Sequence, residues 1–119
     1  MLKFHRAVIA IGLVLVSTSL TQAQDVVAGE SVFKKCRACH AVGDGAKNKV
    51  GPQLNDLFGR VAGSIEGFKY SKAMVAKGEE GLVWDDESLA QYLAKPRSFI
   101  KGTRMAFAGL KKEEDIVNI

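Results

Sequence analysis

Cys36, Arg37, Ala38, Cys39 and His40 spell C-x-x-C-H, and the chain has no cysteine outside this run. Two thiols at this spacing on one helical turn can each add to a vinyl group of a porphyrin. The adjacent imidazole is then held over one face of the ring, aimed at the iron. Three other chemistries use these residue types. A structural zinc site needs four ligands, and this run offers three that lie too close together to close a tetrahedron. A dithiol redox pair follows a strand in a βαβ setting, which the sequence does not show. A disulfide stays open to an exported chain, but it leaves His40 without a role. Covalent haem, held by Cys36 and Cys39 with His40 on the iron, accounts for the whole run.

Iron held by one imidazole has a second face. Beyond the initiator the chain has two methionines, Met74 and Met105, and thioether is the usual sixth ligand of haem centres built for electron transfer. Met74 lies in a helical segment with Ala73 and Ala76, where a flexible apolar side chain ordinarily fills core. Met105 lies between Gly102 and Gly109, in an apolar loop whose small residues let backbone approach a flat ring. The expected ligand is therefore Met105.

These residues need elements to position them. Val26, Val27, Gly29, Val32, Phe33 and Cys36 recur at helical steps, which predicts a helix over 25–39 that ends at the cysteines. Gly43, Gly45, Gly51, Pro52, Gly59 and Gly63 break any regular element between 41 and 63 and mark a long shaped loop. Further helices are predicted over 71–77, over 86–94, where Asp85, Asp86 and Glu87 favour a helix start before Pro96 ends the run, and over 111–119. No strand pattern or internal repeat is present.

At 119 residues and 47% hydrophobic content the chain suits one small domain and excludes a two-domain enzyme. A net charge of +4 with 25% charged residues excludes a disordered acidic tail and a polybasic nucleic-acid arm. Lys3, His5 and Arg6, then the apolar run from Ala7 to Val16, then small residues to Ala23, predict a secretory signal over 1–23 cleaved after Ala23. The apolar run is too short to span a bilayer; the alternative is an uncleaved anchor that tethers the domain to a membrane. The signal holds Lys3 and Arg6 and no acid, so the domain over 24–119 has 96 residues and a charge of +2. An all-helical chain of that size with such a loop buries little apolar surface by helix packing, so something else must fill its centre; small domains use disulfides, a metal or a cofactor for this.

Four runs together resemble the class I cytochrome c family, of the mitochondrial cytochrome c and bacterial cytochrome c2 type. They are CRACH, VGPQLNDLFGR at Val50 to Arg60, GFKYS at Gly67 to Ser71, and YLAKPRSFIKGTRMAFAGLKK at Tyr92 to Lys112. The resemblance covers 25–119. It implies a small all-α fold that encloses one covalent haem c, with N-terminal and C-terminal helices packed crosswise and long glycine-rich loops. It further implies that the Pro52 carbonyl accepts the second N–H of His40, that Arg60, Tyr70 and Trp84 hold the inner haem propionate, that Tyr92 and Thr103 are hydrogen-bonding neighbours of the methionine ligand, and that Phe107 packs at the exposed haem edge. Two departures stand out. Met74 occupies the place where mitochondrial members usually carry an asparagine under the haem. The family's last helix continues to an aromatic residue that packs across Gly29 and Phe33, whereas this sequence ends at Ile119, before it, so we expect the sequence to be truncated within that helix. The stretch of Gly78, Glu79, Glu80 and Gly81 points to the bacterial side of the family.

The function implied is one-electron carriage on the periplasmic side by a monomer, with no bond made or broken. Its partners are membrane redox complexes, such as a quinol-cytochrome c reductase and a terminal oxidase or reaction centre, and not nucleic acid. The alternatives are a membrane-tethered relay and a haem peroxidase that arises if Met105 leaves the iron readily. Charge order supports docking. Residues 34–49 carry +4 and residues 91–112 carry +6, bracketing the ligands, while residues 66–87 carry −3. Lys35, Lys49, Arg97, Arg104 and Lys111 are the expected docking residues.

Overall fold

Asp25 opens the first helix by accepting the Ala28 N–H on its side chain at 3.0 Å. In the computed structural model, which describes residues 12–17 and 23–119, α1 runs Val26–Phe33. The chain then tightens into turns, with Cys36 N donating to Phe33 O at 2.8 Å and Cys39 N to Cys36 O at 3.1 Å. The α-helix is therefore shorter than the predicted 25–39, because bonds back to the third residue replace those back to the fourth before the cysteines are reached. Residues 12–17 of the expected signal have no regular structure and are exposed; the rest of it, apart from Ala23, lies outside the described residues.

The loop predicted over 41–63 is present and carries no helix. One isolated antiparallel bridge, Val61 to Val83, closes it, with Trp84 N donating to Arg60 O and Ala62 N to Leu82 O, both at 2.9 Å. Among the described residues this bridge is the nearest approach to a sheet. Helix α2 (Lys72–Glu79) starts where Ser71 accepts the Met74 N–H at 3.1 Å. Helix α3 (Asp86–Ala94) starts at a capping box in which Asp85 and Ser88 each bond the other's backbone. A four-residue helix α4 (Pro96–Phe99) follows. It was not expected: proline ends α3 but also suits the first turn of a new helix, where its missing N–H costs nothing. Helix α5 (Glu113–Asn118) ends the chain.

Helices α1 and α5 pack against each other at Gly29, where a Cβ would overlap the Asn118 carbonyl. Asp25 N donates to Asn118 Oδ1 at 2.9 Å, and Gln24 Nε2 donates to Val117 O at 2.8 Å. The buried cluster is small: Ala62, Met74, Trp84, Tyr92 and Ile100, with Leu57, Leu82, Leu89 and Phe99 against it. Met74 thus fills core, as its helical setting predicted. Among the described residues no helix is long and apolar enough to cross a membrane.

Candidate functional site

Beside that cluster lies a mainly apolar cavity of about 680 Å³, a size suited to a bound organic group. Cys36, Cys39 and His40 all line it. The two cysteines are free thiols, so the structure offers both sulfurs for attachment and gives no support to a disulfide. Burial, reinforced by the neighbouring Cys39 and opposed by Lys35, pushes the Cys36 thiol above its ordinary range. Among the described residues no cluster of three His, Cys, Asp or Glu is placed to hold a metal ion.

His40 is fixed from two sides. Its Nδ1–H donates to the Pro52 carbonyl at 2.7 Å, which orients the ring and makes the other nitrogen a better donor to a metal. Gly51 lies against the imidazole so closely that a Cβ there would overlap the ring. Only glycine permits that approach. The Pro52 contact is the one that the resemblance implied.

Met105 lines the same cavity from the segment after α4. Its backbone N–H donates to Thr103 Oγ1 at 3.4 Å, and that hydroxyl pairs with Tyr92 Oη at 2.6 Å. Tyr92 is 6% exposed, and burial raises its phenol above the usual tyrosine range. Trp84 stacks on Tyr92 at 5.1 Å between ring centroids. Phe107 lines the cavity beside the exposed Ala106.

Arg60 and Tyr70 also line the cavity, each with a protein partner already. Arg60 Nη1 donates to Gln53 O at 2.8 Å, and Nη2 donates to Asn55 O. Tyr70 Oη accepts the Ile65 N–H at 3.2 Å, and its ring meets Phe68 edge to face at 4.8 Å. All the side chains singled out for the haem therefore surround one space. Of the expected docking residues, Lys35, Lys49 and Arg104 line its mouth, joined by Lys69, while Arg97 and Lys111 do not. Leu54 and Leu57 in the loop, Phe68 after it and Leu89 on α3 form further walls that were not anticipated; a lone apolar side chain carries no signal that separates a cofactor wall from ordinary core.

The donor set fits a haem. Two free thiols and an imidazole come from one turn, a thioether from another segment, and apolar walls lie between. A haem would be held by Cys36 and Cys39, with His40 and Met105 available to its iron.

No family model matches the chain. It is similar to cytochrome c2 of Afifella marina, 62% identical over 91 residues that make up 76% of this chain and 73% of that one. It is also similar to cytochrome c2 of Agrobacterium tumefaciens (strain II Chrys), 52% identical over 95 residues, or 80% and 86% of the two chains. Its structure matches that of cytochrome c2 from Rhodospirillum Centenum with a TM-score of 0.76 and 40% identity, covering 79% of this chain and 91% of that one.

Proposed function

The chain belongs to the class I cytochrome c family and carries one covalent haem c, and from that premise we propose that it shuttles single electrons between membrane redox complexes on the periplasmic side, with His40 and Met105 as axial ligands. The observation that carries this reading is the convergence of Cys36, Cys39, His40 and Met105 on one cavity. When bound, the haem supplies a one-electron change of iron valence and an extended ring over which the electron spreads.

The chain's own residues do the rest. Pro52 holds the imidazole through Nδ1, so that Nε2 is the nitrogen left for a metal. Thr103 and Tyr92 hold the backbone of Met105 in place, which favours a retained thioether and a carrier over a peroxidase. Trp84, Tyr92, Met74 and the leucine walls exclude water, and a dry surround disfavours the more highly charged oxidised state, raising the reduction potential. Arg60, Tyr70 and Trp84 bring N–H and O–H groups to one wall, where a buried propionate needs partners. Lys35, Lys49 and Arg104 are exposed residues of the cavity lining, and their charge meets acidic partners, with Arg97 and Lys111, outside that lining, as further docking residues. The protein acts as a monomer. Export is part of this reading: among the described residues the tertiary hydrogen bonds begin at Gln24, the residue that cleavage after Ala23 would leave first.

Thioether ligation of ferric haem gives a weak near-infrared charge-transfer band. That band should be present in the native protein, vanish in Met105→Ala and survive in Met74→Ala. Loss in Met74→Ala with retention in Met105→Ala would exchange the two roles.

A further inference from the structure

Arg60 was expected to serve a propionate, and its guanidinium also holds two backbone carbonyls, those of Gln53 and Asn55, with N–H donors to spare. We propose that Arg60 is a positioning residue for the His40 imidazole, acting through residues 51–55; the inference rests on the reading of His40 as an iron ligand.

Residues 51–55 form a strap laid against the C-x-x-C-H segment. Gly51 N donates to Cys39 O at 2.8 Å, and Leu54 N donates to Ala41 O at 3.0 Å. Asn55 closes the end of the strap by pairing with both backbone groups of Gly43, accepting its N–H at 2.7 Å and donating to its carbonyl at 2.8 Å. Between them, Pro52 presents its carbonyl to His40 Nδ1 at 2.7 Å. That carbonyl shares its peptide plane with the Gln53 N–H, which donates to Asn48 Oδ1 at 2.9 Å, and carbonyls that follow it are held as well. The carbonyls of Gln53 and Asn55 are both held by Arg60.

Arg60 is itself anchored. Its N–H donates to Leu57 O at 3.0 Å, and its carbonyl accepts from Trp84 N at 2.9 Å beside the Val61 to Val83 bridge. The fork therefore ties the strap to the bridge. A shift of the strap moves the Pro52 acceptor and the Gly51 face against the ring together. A guanidinium spans two carbonyls two residues apart because its donors are fixed in one plane. An ammonium keeps the charge but is a single point on a flexible stem.

The test is hydrogen exchange followed by NMR on the reduced, haem-loaded protein, reading the His40 Nδ1 proton and the Leu54 amide, with the Ile100 amide as a control remote from the strap. In Arg60→Lys both strap protons should exchange about tenfold faster while Ile100 is unchanged, since one well-made hydrogen bond is worth about that factor. The reduction potential should rise at every pH, because an imidazole with a weakened N–H bond is a poorer donor. Arg60→Gln should behave like Arg60→Lys although it removes the charge. Unaltered exchange in Arg60→Lys, with any effect confined to the pH dependence of the potential, would make Arg60 a charge partner only and overturn the inference. Equal acceleration at Ile100 would also overturn it, as general loosening. If neither variant folds with haem, the unmutated protein decides: the His40 proton and the Leu54 amide must share one denaturant dependence of exchange, and two separate openings refute the coupling. Absence of a porphyrin ring-current shift on the His40 ring would instead remove the ligand reading itself.

Discussion

His40 and Tyr92 show how far residue type alone reaches. The run from Cys36 to His40 was legible because two thiols and an imidazole in five residues have few joint uses. Met105 was preferred to Met74 for its glycine-flanked setting; both line the cavity, Met74 as a member of the buried cluster and Met105 packed against it, so the choice of ligand rests on that setting. The acceptors of Arg60 were not legible, because a side-chain type does not say which carbonyls a loop will bring within reach. Tyr92 carries a pH prediction. Burial raises its phenol in the folded protein, whereas an unfolded tyrosine ionises near about pH 10. Its contribution is thus complete below that pH and is lost as pH rises, because the unfolded chain releases the proton first. Tyr92→Phe should cost about 1 kcal/mol at neutral pH, by leaving Thr103 Oγ1 without its partner, and should flatten the alkaline loss of stability. Denaturant midpoints for both proteins near neutrality and above about pH 10 check this; parallel alkaline losses would contradict it.

At the scale of elements, the predicted helices exist, α3 at its predicted bounds and the others with shifted ends. Helix α3 matched because Asp85 and Ser88 form a capping box that a short window of sequence reveals. Helix α1 stopped early because apolar periodicity continues through Cys36 while the backbone tightens to aim the cysteines, and periodicity does not distinguish the two. Helix α4 was missed because Pro96 reads first as a terminator. The packing of α1 on α5 is carried by Gly29, which allows two backbones to meet. Gly29→Ala places a methyl against the Asn118 carbonyl, where no flexible side chain can yield. It should destabilise the protein by about 1–3 kcal/mol despite alanine's better helix propensity. A thermal or denaturant melt at or above the native midpoint would show that the two helices separate freely.

For the whole molecule, the described core is small and the cavity large, so the helices serve chiefly to place walls, ligands and charge around one space. The sequence indicated a missing centre from size and helix content; it did not show that Lys69, from the segment of net negative charge, would join Lys35, Lys49 and Arg104 at the mouth. Positive charge there should steer association with acidic partners and be screened by salt. Electron-transfer rates to a membrane redox complex should fall steeply with ionic strength. Lys35→Glu and Lys49→Glu should each slow them at low salt, whereas Lys72→Glu on α2, outside the mouth, should change little. Equal loss from Lys72→Glu, or no salt dependence, would contradict the docking face. The most direct test of the account is a redox titration of the purified, haem-loaded protein followed by its visible and near-infrared absorption. One reversible one-electron wave is predicted, in which the ferric near-infrared band disappears on reduction and returns on reoxidation, while the visible spectrum of the reduced form is unaffected by carbon monoxide. A band absent from the start, more than one wave, or a reduced spectrum shifted by carbon monoxide would contradict a carrier with both axial positions held by His40 and Met105.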